Sequence, residues 1–329
     1  MASPRALERA PAPPPPQRRA PLQQRGGSAP LVPALEDVQL GYALPLEERP
    51  VLGSTVRLFT FPGESTDVAR TVVCLPGLGA SGRSFALQRP LARSLRLLLW
   101  TPPLHTPLTH TPLEWNLRVL ESPEAQLPAR FALVGSSFGS LVALSFALRH
   151  PERVSALVLV SPVATVRRIR RVALSLSTLV RAPMPLTYLF APLVARALGG
   201  LHLPAEGRAE IVREARRISG AEMLRRLKDV LAADLVPQLS GLRVPTLVVH
   251  GARDHLVPLE AAQSVQAAIP GARMALLPHA SHLPYMSHPQ EFNAAVGDFL
   301  AEHLPRAALP SDAREAAAAE APGDPTPAR

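Results

Sequence analysis

Between about residues 55 and 304, short uninterrupted apolar runs alternate with segments of helical periodicity, and this rhythm limits the fold more than any other feature. Runs at 71–75, 95–100, 131–135, 156–161, 246–250 and 274–277 end at glycine, proline or polar residues. Continuous apolar runs of that length suit strands covered on both faces, as in parallel sheets. The stretch 55–61 instead alternates at Val56, Leu58 and Thr60, the pattern of a strand with one covered face. Helical patterns fall between the runs, at 83–95, 112–120, 139–150, 259–269 and 289–303. Strands alternating with helices predict an α/β fold, with a mostly parallel central sheet flanked by helices.

One interval breaks the rhythm. From 163 to 238 no strand is recognisable, only helix-like segments such as 209–217 and 221–232, and the interval reads as an inserted helical cap. The expected organisation is a core in two parts, 34–162 and 239–305, with the cap between them. Residues 1–33 are rich in Pro, Arg, Gln and Ala, and 306–329 in Ala, Pro and acidic residues. Neither has enough apolar side chains to bury, so both read as disordered tails.

Composition excludes several classes. Apolar residues make up 47% of the 329, enough for a sizeable core. Cys74 is the only cysteine, which excludes an intramolecular disulfide and a cysteine metal site. The formal charge of +9 is carried almost wholly by arginine, since Lys228 is the only lysine. With aromatics at 4%, stacking platforms for nucleic acid are scarce, and no nucleic-acid partner is expected. The N-terminal stretch lacks the roughly 7–15-residue apolar core of an export signal. No uncharged run reaches the ~20 residues of a membrane span, and the longest candidate, 172–198, contains Arg181, Pro183, Pro185 and Arg196. A cytoplasmic location is expected. Arg167, Arg168, Arg170 and Arg171 could meet an anionic surface, but such a run more often forms a solvated helix face.

The chemistry concentrates at three places. Phe131-Ala-Leu-Val-Gly135-Ser136-Ser137-Phe138-Gly139 runs from an apolar strand through Gly-x-Ser-x-Gly into an apolar helix. That context puts Ser137 on a sharp turn at a helix N-terminus, the position of a nucleophile; Ser136 and Ser140 are its neighbouring hydroxyls. Asp254 follows the run 246–250 in Gly251-Ala-Arg-Asp254, where it can orient an imidazole; the competing reading is an aspartate that caps the following helix. After the next run comes Pro278-His279-Ala-Ser-His282-Leu-Pro284, and order and position favour His282 as the base over His279 and His288. Thr71-Val-Val-Cys-Leu-Pro76-Gly77-Leu78-Gly79 ends in a glycine-rich turn without the Gly-Lys-Ser/Thr of a phosphate loop. The Leu78 and Phe138 amides are the candidate oxyanion donors. Cys74, within the strand, reads as a small buried apolar residue.

On these motifs, with His150-Pro-Glu-Arg-Val154 and Ser281-His282, positions from about 50 to 304 resemble the α/β-hydrolase superfamily, in its esterase- and lipase-like branch with a helical cap. The resemblance implies a serine hydrolase cleaving an ester or related acyl bond through an acyl-enzyme on Ser137, with Asp254 and His282 completing the triad. It implies no metal and no organic cofactor. The expected substrate is a small acyl compound with an apolar portion, because 186–193 and 198–203 in the cap are largely apolar. Acyl transfer or perhydrolysis would use the same residues, and a binding protein could keep the fold without them. The chain departs from the family's usual pattern at Pro76-Gly77, where His-Gly is common, and at Ser281-His282, where Gly-His is usual.

Overall fold

The computed structural model describes residues 44–165, 198, 200 and 202–305. The expected tails 1–33 and 306–329, the arginine cluster 167–171 and most of the first half of the expected cap lie outside these residues. No helix among the described residues is long and apolar enough to cross a membrane.

An eight-stranded sheet carries the fold. Its strands are β1 (Leu46–Val51), β2 (Ser54–Phe59), β3 (Thr71–Leu75), β4 (Arg96–Thr101), β5 (Phe131–Ser136), β6 (Val154–Val160), β7 (Thr246–Gly251) and β8 (Arg273–Leu277). They lie in the order β1-β2-β4-β3-β5-β6-β7-β8. From β4 to β8 every pairing is parallel; β1–β2 and β2–β4 are antiparallel. All five residues of β3 and all six of β5 are buried, as the uninterrupted apolar runs require.

Alternate residues of each central strand feed two cores, one on each face. Val73, Leu75, Leu133 and Val248 join the core beneath the helices α1 (Pro112–Glu121), α2 (Phe138–Arg149) and α5 (Leu259–Ala268). Val72, Cys74, Val134 and Val249 join the opposite core, covered by the segment Gly82–Arg93 and by α6 (Pro284–Ser287) and α7 (Pro289–His303). Cys74 is buried among apolar neighbours, and burial pushes its thiol pKa up. It is a core residue.

Two local expectations need correction. The segment read as one helix over 83–95 is a succession of 3-10 turns over Gly82–Arg93, broken where Phe85 leaves helical geometry and carrying Pro90 within it. β1 was not expected at all. It is an edge strand with Leu46, Glu47 and Glu48 exposed, so its sequence carries no apolar signature.

Between β6 and β7 the described chain forms α3 (Ala205–Ala215) and α4 (Gly220–Ala232). Three of their acidic side chains, Glu210, Glu214 and Glu222, are buried. Glu214 pairs with Arg57 of β2 at 2.8 Å, both nearly buried. Ser81 Oγ donates to Glu210 at 3.1 Å, and Thr106 Oγ1 to Glu222 at 2.7 Å. Arg226 bonds Glu222 at 3.1 Å and the Pro103 carbonyl at 2.8 Å, while Asp229 accepts from the Leu113 amide at 2.7 Å. A buried charge left without its partner is costly, so these pairs hold α3 and α4 in one place on the core.

Candidate active site

The site is built at the carboxyl ends of the parallel strands, where open α/β sheets bind ligands. β5 ends at Ser136, and Ser137 stands between it and α2 with φ 52° and ψ −114°. That is a sparsely populated conformation for a residue with a Cβ, costing on the order of 1–3 kcal/mol. The surroundings enforce it. The Ser137 amide donates to the Val160 carbonyl at 2.9 Å, and Ser140 Oγ donates back to the Ser137 carbonyl at 2.5 Å. Ser140 Oγ also accepts from the Val163 amide, so this hydroxyl is fully engaged in the turn. Ser136 and Ser140 are buried, whereas Ser137 is partly open to solvent.

The two motif glycines are there for close approach. A Cβ on Gly139 would stand 2.2 Å from the Leu75 carbonyl oxygen, and one on Gly135 would stand 2.4 Å from that of Gly139. Strand, turn and helix can meet only without those atoms. Gly139→Ala is expected to destabilise the fold by about 3 kcal/mol, seen as a fall in Tm; an unchanged Tm would mean the turn relaxes freely.

Asp254 and His282 meet directly. His282 Nδ1 and Asp254 Oδ2 are 2.8 Å apart, and the other carboxylate oxygen, Oδ1, accepts from the amides of Leu256 and Val257 at 2.8 and 3.0 Å. Burial acts to raise the Asp254 pKa, but His282, the Val257 amide and His250 together outweigh it and bring it down to about 2. The carboxylate is therefore ionised throughout the neutral range. Asp254 does accept amides at the start of its loop, as a capping aspartate would, and bonds the imidazole as well.

The loop carrying His282 is laid across the strand ends. Ser161 Oγ, just past β6, donates to the His282 carbonyl at 3.0 Å. At the end of β7 the loop passes so close that a Cβ on Gly251 would stand 2.2 Å from the Ser281 carbonyl oxygen. His282 and Ser137 thus border the end of the same strand, β6, one through Ser161 and the other through Val160. Among the described residues no hydrogen bond joins their side chains; such contacts commonly tighten only when substrate binds. The competing histidines are elsewhere. His279 lies beside Arg253 at 3.3 Å and His288 beside Ser287 and the His202 ring.

The glycine-rich turn after β3 reaches the same place: a Cβ on Gly77 would stand 3.4 Å from Ser137 Cβ. Among the described residues neither the Leu78 nor the Phe138 amide donates to a protein acceptor. Two neighbours were not anticipated from the sequence. Met223 of α4 packs on the turn, with its Cε 2.5 Å from a Cβ placed on Gly79, and Gly200 lies against Ser281. His250, at the end of β7, is wholly buried beside Asp254.

The fold and this arrangement define an α/β hydrolase, and comparison with known proteins agrees. Residues 72–295 match the model of the alpha/beta hydrolase family, and the chain belongs to that family. The pimeloyl-[acyl-carrier protein] methyl ester esterase of Edwardsiella ictaluri is 35% identical over 195 residues, 56% of this chain and 74% of that protein. RutD of Klebsiella pneumoniae, a proposed carbamate hydrolase, is 32% identical over 254 residues, 72% of this chain and 93% of that protein. Among solved structures, the Exiguobacterium antarcticum esterase superposes with a TM-score of 0.68 at 19% identity, covering 77% of this chain and 98% of its own.

Proposed function

We propose that this chain is a serine hydrolase that cleaves an ester or related acyl bond through an acyl-enzyme on Ser137. One observation carries the reading: a solvent-reachable serine held in a strained turn at a helix N-terminus, at the strand edge that also presents a buried, hydrogen-bonded Asp254–His282 pair. In the first step His282 Nε2 takes the hydroxyl proton as Ser137 Oγ bonds to the acyl carbonyl carbon. The carbonyl oxygen becomes an oxyanion, received by the Leu78 and Phe138 amides, the second helped by the α2 dipole. The tetrahedral adduct collapses, the bond to the leaving group breaks, and His282 hands its proton to that group. Water then repeats the sequence, with His282 as its base, releasing the acid and free Ser137.

Besides substrate and water, these steps use only the residues named. Asp254 stays anionic throughout; it sets the His282 tautomer through the 2.8 Å bond and stabilises the imidazolium. Labelling by a fluorophosphonate probe, lost in Ser137→Ala, tests the reading. Failure of the folded protein to label would favour a binding protein that keeps the fold.

The described part of the interval 163–238 acts as a cap over this site. Support comes from its two described contacts with the site loops, Met223 on Gly79 and Gly200 on Ser281. The apolar stretch 186–193, with Tyr188 and Phe190, lies outside the described residues. The substrate is a small acyl compound with an apolar portion, and Met223 limits the room beside the oxyanion turn. Met223→Ala is expected to shift preference among p-nitrophenyl esters towards longer acyl chains, by roughly tenfold in relative kcat/KM, about what one or two methylenes are worth in an apolar pocket. An unchanged chain-length profile with a lowered Tm would make Met223 a packing residue only.

A further inference from the structure

Asp254 faces two imidazoles. Its Oδ2 accepts the short bond from His282 Nδ1, and the same oxygen lies 4.0 Å from His250 Nε2. His250 is the penultimate residue of β7, opposite Leu276 of β8, and is completely inaccessible to solvent. Neither of its ring nitrogens closes a hydrogen bond of normal geometry among the described residues. A buried imidazole with little more than the Val257 backbone and Asp254 within reach costs stability, and Val248 and Val249 already serve as apolar residues of β7 on the two faces.

We propose that His250 is a second, positioning histidine of this site: neutral in the working range, it flanks Asp254 Oδ2, and when protonated at acid pH it competes with His282 for that oxygen. The inference rests on the serine-hydrolase reading above. Geometry supplies the means, since closing 4.0 Å to a charge-assisted hydrogen bond requires a shift of only about 1 Å. Electrostatics supplies the direction. Burial lowers the His250 pKa below the usual histidine range; Asp254 opposes the shift, His282 adds to it, and the Val257 backbone and Glu260 of α5 oppose it weakly. These are the charged and polar groups that face the ring from its own loop, from α5 and from the loop after β8.

The sign follows. A histidine whose pKa is lowered stays neutral through the neutral range and takes its proton only as pH falls further. That proton places a cation beside Asp254 Oδ2, weakens the bond that orients His282, and removes the base from its working tautomer. Turnover then requires two imidazoles to be free of their extra protons, not one.

The experiment is the acid limb of kcat/KM against pH for the wild-type chain and His250→Gln, with a p-nitrophenyl ester as probe and Tm measured at each pH. In the wild type the logarithm of kcat/KM is expected to reach a limiting slope of two below neutrality; in His250→Gln the limiting slope is one, whatever the height of the neutral plateau. Superimposable acid limbs overturn the proposal. If the variant does not fold, proton–nitrogen NMR of the histidine-labelled wild type decides without activity. A second, buried imidazole should titrate together with loss of the downfield His282 Nδ1 proton, and separate titrations or no second imidazole overturn it. Failure of the underlying reading looks different, because Ser137→Ala would then remain active.

Discussion

Ser137→Ala is expected to lower kcat for ester hydrolysis by about a million-fold while leaving the fold unchanged. The size of the loss follows from what the hydroxyl supplies in the proposed mechanism, where without Oγ no acyl-enzyme forms and His282 and Asp254 have nothing to activate. Rate above that of water would persist, on the order of a thousand-fold, from the oxyanion amides and binding alone. The fold is preserved because the turn is held by backbone groups and by Ser140. The bonds from the Ser137 amide to Val160 and from Ser140 Oγ to the Ser137 carbonyl are both untouched by the substitution. The measurement is a paired one, fluorophosphonate labelling and steady-state hydrolysis beside a thermal melt. A variant with wild-type turnover would remove Ser137 from the chemistry. Ser136 and Ser140 would not replace it easily, since both are buried.

Much of this arrangement is legible in the sequence because the central strands are covered on both faces. β3, β5 and β7 read as continuous apolar runs for that reason, and their ends place Ser137 and Asp254 without reference to anything distant. The Gly-x-Ser-x-Gly motif is informative for a steric reason, now visible in the clash a Cβ on Gly139 would make with Leu75. What escapes the sequence is whatever depends on residues far apart in the chain. Glu210, Glu214 and Glu222 look like the solvated face of arginine-rich helices, yet all three are buried against Ser81, Arg57 and Thr106. The helical periodicity of 83–95 conceals a break at Phe85, where the backbone leaves helical geometry and the segment kinks. His250 looks like the last residue of a strand. Its place immediately before Gly251-Ala-Arg-Asp254 was the available signal, and only the return of the chain at His282 gives it meaning.

Replacing His282 by alanine is expected to cost as much as loss of the serine, again about a million-fold in kcat, because the two act as a unit. Asp254→Asn should cost less, on the order of ten-thousand-fold, since the imidazole survives but in the wrong tautomer. His279→Ala and His288→Ala provide the contrast. His279 touches Arg253, and His288 touches Ser287 and the His202 ring; neither is paired with Asp254. Both variants should stay within a few-fold of wild type, as substitutions remote from the reacting atoms usually do. The four measured together separate orientation from packing, for only His282 receives the short contact with a carboxylate whose pKa is held at about 2. That carboxylate keeps its charge through the neutral range, so Asp254 is not the source of any neutral-range pH dependence of turnover. Severe loss in His279→Ala with little in His282→Ala would transfer the base to the other end of the loop, and would require the chain between Leu277 and Pro284 to turn over on binding substrate.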